Sequence, residues 1–91
     1  MTAAYTVIFS KLAQEKFERL LHADRKLGEL ITKAIDRIAL HPQLGEFLKG
    51  NTGYRKYRTG HYRIVYRVEH HRLVIYIITV GHRKEVYRDI P

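Results

Sequence analysis

The sequence predicts one α+β domain: an N-terminal strand and an α-helical hairpin packed on one face of a small, mostly antiparallel four-stranded sheet. Three observations lead there. Two segments of helical period precede three of strand period, the links between them are short, and turn residues mark those links. With 91 residues the chain supports one modest core, so residues 1–91 are expected to form a single domain without internal repeats or low-complexity linkers.

In order along the chain, "YTVIF" at 5–9 alternates Tyr5, Val7 and Phe9 with Thr6 and Ile8, as a strand of strong β-formers does. Ser10 sits where an N-cap belongs, and behind it Ala13, Phe17, Leu20 and Leu21 fall on one side of a helix that should stop near His22 to Asp24. A second helix is marked by Leu27, Leu30, Ile31, Ala34, Ile35 and Ile38, and His41-Pro42 ends it. The short link predicts that the two helices pair antiparallel. Residues 42–53, with three glycines, a proline and the apolar Leu44, Phe47 and Leu48, read as a loop pinned to the core. Strands are then expected over about 54–58, 61–69 and 72–80, followed by the short tail "HRKEVYRDIP".

Composition narrows the function classes. There is no cysteine, which excludes disulfides and thiolate metal sites. The longest nearly continuous apolar run, "LVIYIITV" at 73–80, falls far short of the ~20 residues of a membrane helix. "MTAAYTVIF" lacks the basic start and long apolar stretch of a secretory signal, so a cytoplasmic location is the expectation. The net charge of +8 is unevenly placed: residues 1–50 hold 8 Lys/Arg against 6 Asp/Glu, and residues 51–91 hold 9 against 3. Such a basic half either attracts a polyanion or simply keeps the protein soluble.

The hairpin "YRKYRTGHYRIVYRV" sharpens that choice. With Thr59-Gly60 as a two-residue turn, Arg58 faces His61, Tyr57 faces Tyr62, Lys56 faces Arg63 and Arg55 faces Ile64. Cross-strand partners share a face, so Lys56, Arg58, His61, Arg63 and Arg67 lie on one side, and Tyr57, Tyr62, Ile64, Tyr66 and Val68 face the core. Like charges directly opposite one another cost a few tenths to ~1 kcal/mol per pair. Folding does not call for them, although edge strands do carry cations to block aggregation. The acids beyond residue 50 are Glu69, Glu85 and Asp89, too few to neutralise this half. A surface for a phosphodiester backbone, with Arg55, Arg58, His61 and Arg67 as contacts, is the reading adopted.

Beyond "IITV" the chain reaches Gly81, His82 and Arg83, and then Tyr87. Cleaving RNA with its own 2′-hydroxyl needs a base, an acid and cations around phosphorus. Imidazole, guanidinium, ammonium and phenol supply such groups, and the route requires no metal or cofactor. The six histidines show no zinc-type spacing beyond the adjacent His70-His71, most simply a polar turn. Taken singly, His82, Arg83 and Tyr87 have ordinary structural roles as well; their convergence with a charged sheet face is what raises the functional reading.

The blocks "YTVIFSKLAQEKFERL", "RIALHP", "LKGNTGYRKYRTGHYRIVYRV" and "IITVGHRKEVYR" resemble the RelE/ParE superfamily of bacterial toxins over nearly the whole chain, most specifically in "YRTGHYRIVYRV" and "VGHRKEVYR". The resemblance implies a RelE-like toxin encoded beside an antitoxin that wraps it. In the RelE branch it implies a metal-independent endoribonuclease that cuts messenger RNA in the ribosomal A site, leaving a 2′,3′-cyclic phosphate or its 3′-phosphate product. It puts Lys56 on a catalytic lysine, Arg58 on an RNA-contacting position and Arg63 on the arginine that stabilises the transition-state phosphate. It puts Arg83 on the arginine assigned to leaving-group protonation or phosphate contact, and Tyr87 on the tyrosine of base stacking and 2′-proton removal. Tyr54 stands where the RelE pattern has a second lysine, and Arg83 to Tyr87 is a shorter spacing, which leaves the general base open with His82 as a further candidate. Two functions follow: a ribosome-dependent ribonuclease with Lys56, Arg63, His82, Arg83 and Tyr87 as its site, or a ParE-like toxin that inhibits DNA gyrase by binding alone. The expected partners are a cognate antitoxin, acidic where it wraps the toxin, together with the ribosome and messenger RNA, and no membrane.

Overall fold

The computed structural model describes residues 4–50 and 53–90. Asn51 and Thr52 of the expected loop, the first three residues and Pro91 of the tail lie outside the described residues.

Strand β1 (Thr6–Phe9) leads through Ser10 into helix α1 (Lys11–Ala23). The Ser10 hydroxyl accepts a hydrogen bond from the Ala13 N–H at 3.0 Å, as the N-cap reading required, and donates to the Ile78 carbonyl at 2.8 Å. One side chain thus starts the helix and fastens it to the sheet. Asp24 ends α1 and caps α2 (Arg25–Leu40), accepting from the Leu27 N–H at 3.1 Å. A one-residue link leaves the two helices no choice but to turn back on each other. Ala13, Ile31, Ala34, Ile35 and Ile38 are buried, as helical spacing placed them.

A 3₁₀ turn (Pro42–Leu44) follows, and then β2 (Glu46–Phe47), β3 (Tyr54–Thr59), β4 (Tyr62–Glu69), β5 (Val74–His82) and a 3₁₀ turn at Val86–Asp89. The sheet has five strands in the order β1-β5-β4-β3-β2, parallel between β1 and β5 and antiparallel elsewhere. The added strand is β2, whose two residues pair with Lys56 and Arg55; two residues are too few to show a period in sequence. No helix among the described residues is long and apolar enough to cross a membrane.

The β3–β4 hairpin departs from expectation in its turn. Thr59 pairs with Tyr62, so Gly60 and His61 form the loop, and Arg58 faces Arg63 while Lys56 faces Val65. Gly60 has φ +60, and a glycine at the first central position suits a type II′ hairpin turn. The register moves by two residues in total, an even number, so each side chain keeps its face. Ile64, Tyr66, Ile75, Ile77 and Val80 pack under the helices, and Lys56, Arg58, Arg63, Val65 and Arg67 lie on the opposite side. A bulge at Ile78, between the pairs Val65–Thr79 and Tyr66–Ile77, holds this phase on β5.

Tyr66 joins the sheet to the segment ahead of β2. Its ring is fully buried, and its hydroxyl donates to the Pro42 carbonyl at 2.6 Å and accepts from the Gly45 N–H at 2.8 Å. Burial pushes the phenol above its usual 10.0. Gly45 is set by the same contact, because a Cβ there would lie 2.6 Å from the Tyr66 hydroxyl and 2.8 Å from the Lys56 carbonyl. Tyr66→Phe leaves a buried donor and a buried acceptor unpaired, which costs about 1–3 kcal/mol. The expected result is a lower urea midpoint with an unchanged m-value, and Gly45→Ala should reproduce it without removing the phenol.

Candidate functional site

The helices cover one face of the sheet, and the C-terminal tail covers part of the other. From β5 the chain turns back, with the Glu85 N–H bonded to the His82 carbonyl at 2.8 Å, and Val86 is fully buried against β4 and β5. Asp89 accepts a hydrogen bond from the buried Thr79 hydroxyl at 3.0 Å and forms an ion pair with Lys16 of α1. Between these two anchors Tyr87 remains 44% exposed.

Tyr87 and the uncovered face of the hairpin enclose a cleft of about 350 Å³, lined by Leu44, Glu46, Lys56, Arg58, Arg63 and Tyr87 among others. The Lys56 ammonium lies 6.0 Å from the centre of the Tyr87 ring. Arg63 is oriented by backbone: its Nη1 donates to the Gly60 carbonyl at 3.2 Å and the Tyr62 carbonyl at 3.0 Å. Its other guanidinium nitrogens have no hydrogen-bond partner among the described residues. None of the three ion pairs among the described residues, Lys16–Asp89, Arg25–Glu29 and Arg72–Glu69, involves Lys56, Arg58 or Arg63. The cleft therefore presents three cations, one oriented in advance, beside an open aromatic ring. That is a receptor for an anion attached to a planar group.

The other residues singled out from the sequence lie elsewhere. Arg55 shares the side of Tyr66, donates to the Gly45 carbonyl at 2.7 Å and lies 3.8 Å from the centre of the Phe47 ring. Arg67 is on the cation face but farther along, with its guanidinium 5.0 Å from the Tyr76 ring centre. His61 in the turn stacks on His82, with ring centres 6.2 Å apart. His82 accepts from the Lys84 N–H at 3.2 Å and lines a second groove, of about 300 Å³, with Lys16, Arg19, Tyr62 and Glu85. Arg83 is exposed, and its N–H bonds the His61 carbonyl at 2.8 Å. Lys56, Arg58, Arg63 and Tyr87 are thus brought together; Arg55, His61, Arg67, His82 and Arg83 are not among the residues lining that cleft.

Glu46 enters the site through β2, where it is the register partner of Lys56. The sequence signal for it was absent, since it stood inside an expected loop and a charge census beyond residue 50 passes it by. No group of three His, Cys, Asp or Glu side chains among the described residues is arranged to hold a metal ion.

A cationic cleft on one face of a mostly antiparallel sheet and a helical hairpin on the other define the protein's α+β architecture, and comparison with known proteins supplies the family. A family model described as the ParE toxin of the type II toxin-antitoxin system parDE matches residues 7–87, and the chain belongs to that family. It is a type II toxin of the RelE/ParE/YoeB superfamily, as its sequence blocks implied. The isolated RelE toxin of Escherichia coli superposes with a TM-score of 0.76 at 26% identity, covering 94% of this chain and 94% of that one. A chain of the RelBE2 toxin-antitoxin complex of Mycobacterium tuberculosis gives 0.75 at 28% identity, over 89% of this chain and 100% of that one. The YoeB dimer of Staphylococcus aureus gives 0.74 at 28%, over 88% and 98%. No curated protein sequence matches the chain.

The tail latch carries a pH dependence. Burial acts to raise the Asp89 carboxyl, but hydrogen bonds from Lys16 and Thr79, helped by the charges of Lys16 and Arg88, outweigh it and hold the group below the usual 3.8. A carboxyl lower in the folded than in the unfolded state stabilises the fold above 3.8, and that contribution is lost as pH falls through the depressed folded value. Thermal unfolding of the protein and of Asp89→Asn should therefore differ by a constant amount from neutrality down to about pH 5, and the gap should close in stronger acid. A gap that is independent of pH would mean the carboxylate charge is not what holds the tail.

Proposed function

We propose that this toxin is a ribosome-dependent endoribonuclease that cleaves messenger RNA in the A site by attack of the 2′-hydroxyl, without a metal. The observation that carries the reading is the convergence of Lys56, Arg58, Arg63 and Tyr87 on one open cleft. In the reaction the 2′-hydroxyl gives up its proton as its oxygen bonds to phosphorus, the bond from phosphorus to the 5′-oxygen breaks with that oxygen taking a proton from the Lys56 ammonium, which lines the cleft, and a 2′,3′-cyclic phosphate forms. Arg63 and Lys56 stabilise charge on the non-bridging oxygens, where oriented donors act most strongly. Tyr87 stacks on a base beside them. Of the groups able to take the 2′ proton, Glu46 and Tyr87 line the cleft, and Glu46 is its carboxylate. Arg58 and Arg67, on the same face, contact neighbouring phosphates; His61, His82 and Arg83, beyond the cleft, contact RNA farther along, and Arg55, on the other side of the sheet, takes no part in the chemical step.

The matching family is described as a ParE toxin, and the ParE-like alternative implied by the sequence resemblance is a toxin that inhibits DNA gyrase by binding and cleaves nothing. Mapping 5′ ends of messenger fragments after brief expression separates the two. Cuts confined to translated frames support the ribonuclease; intact messages accompanied by DNA damage support the gyrase inhibitor.

A cognate antitoxin with an acidic wrapping segment is the proposed partner, covering the cations and pairing with exposed strand or helix surface. Toxin binding to the ribosome should weaken steeply with salt, and flat affinity between low and moderate ionic strength would contradict a phosphate-contacting face. For the chemistry, Arg63→Ala should slow cleavage roughly 10²–10³-fold, the usual effect of removing one donor to a developing charge, while thermal unfolding stays close to that of the parent. Undiminished toxicity in folded Arg63→Ala and Tyr87→Phe variants would remove the cleft from the mechanism.

A further inference from the structure

Two histidines that do not line the cleft stand at the tip of the β3–β4 hairpin, beside the turn that orients Arg63. His61 is the second residue of that turn, and its ring stacks on His82 with centres 6.2 Å apart and planes inclined by 22°. Tyr62 meets the same imidazole edge-on, at 5.6 Å. Aromatic rings at such separations attract one another. The backbone closes the group, since the Arg83 N–H bonds the His61 carbonyl at 2.8 Å.

His82 is itself held. Its Nδ1 accepts from the Lys84 N–H at 3.2 Å at the end of β5. The register sets it opposite Tyr62 and two residues beyond the core residue Val80, so it lies on the helix side of the sheet. Arg63 is on the other side, in the cleft. The imidazole therefore faces away from the cleft, and an effect on the reaction there has to pass through the turn.

The turn has something to transmit. Gly60 and Tyr62, on either side of His61, supply the carbonyls that accept from Arg63 Nη1, at 3.2 and 3.0 Å. Gly60 has φ +60, and no atom lies within 4 Å of where its Cβ would stand, so nothing packs on the turn from that direction. Packing reaches it through the His61 ring.

We propose that His82 is a positioning residue for Arg63: its ring braces the Gly60–His61 turn, whose flanking carbonyls hold the guanidinium in the cleft. The catalytic consequence rests on the ribonuclease reading, and it gives this imidazole the task of packing rather than of proton transfer. A general acid or base must carry a proton, whereas a brace needs only a flat ring.

Two substitutions separate the ring from its proton: His82→Ala removes the brace, and His82→Phe keeps a ring that exchanges no proton. In the free toxin, the heteronuclear NOE at Arg63 Nε should match that of ordered backbone in the parent, fall in His82→Ala toward that of the exposed Arg88, and recover in His82→Phe. His82→Asn, which keeps an acceptor for the Lys84 N–H and loses the ring, should behave as His82→Ala does. Single-turnover cleavage on programmed ribosomes is measured at saturation, where contacts with RNA farther along do not enter. His82→Ala should be about fivefold slower, within what one aromatic pair supplies, and His82→Phe should restore the rate. In an Arg63→Ala background, His82→Ala should bring no further loss. An Arg63 side chain equally ordered in the parent and in both ring-less variants overturns the proposal whatever the activity, as does one already as mobile in the parent as Arg88. Ordered Arg63 in a His82→Phe toxin as slow as His82→Ala would return His82 to proton transfer, and equal loss with and without Arg63 would make it a general support of the fold; either result overturns the positioning role. If the parent cuts no messenger, the ribonuclease reading fails with the catalytic consequence, while the NOE still decides whether His82 orders Arg63.

Discussion

The parity of the β3–β4 pairing is the constraint on which the rest depends. Side chains alternate along a strand, so a slip of one residue would carry Lys56, Arg58 and Arg63 into the helix-packed core and Ile64 and Tyr66 into water. Burying unpaired cations costs several kcal/mol each, whereas each buried Ile or Val side chain contributes about 1.5–3 kcal/mol. The two penalties act together, and they fix the face on which the cations appear. The cationic surface is thereby tied to the same choice that builds the core.

The uncovered face is a matter of economy in chain length. Two helices pack on one side of the five-stranded sheet, and the tail that remains is a single short turn anchored at Thr79 on the other. Hence the hydrophobic side chain of that tail, Val86, is spent on closing a small second core, while its neighbour Tyr87 projects at the border between covered and open sheet. An aromatic ring beside a row of cations is the natural product of a turn that must be anchored at both ends and has one residue to spare. The Asp89 link to Thr79 and Lys16 supplies the distal anchor.

This economy explains which features could be read from sequence. Both helices were legible because their apolar spacing runs over several turns and their caps, Ser10 and Asp24, are of the types that bond backbone N–H groups. The cation face was legible despite a misplaced turn. Taking Thr59-Gly60 in place of Gly60-His61 moved partners by two residues, which leaves alternation intact, so Lys56 was assigned the wrong partner and the right side. What could not be read were the long-range placements. Glu46 reaches the cleft through a two-residue strand, Arg55 turns to the Gly45 carbonyl and the Phe47 ring on the other side of the sheet, and His82 falls in the neighbouring groove because β5 runs on to residue 82 before the chain turns. Each depends on where a loop ends in space, for which local spacing holds no information.

A like-charge pair at Arg58 and Arg63 raises the question of how the sheet tolerates its own surface. Direct opposition costs a few tenths to ~1 kcal/mol, and solvent screening around the exposed Arg58 keeps it at the low end. Ile64 and Tyr66 on the other side of the same strand are fully buried, and their contribution exceeds that cost several-fold. The Arg63 guanidinium also bonds two carbonyls, which stabilises the turn beside it. The hairpin can therefore hold unneutralised charge in a fixed geometry before any anion arrives, and an anion that does arrive meets donors whose orientation has already been set by folding.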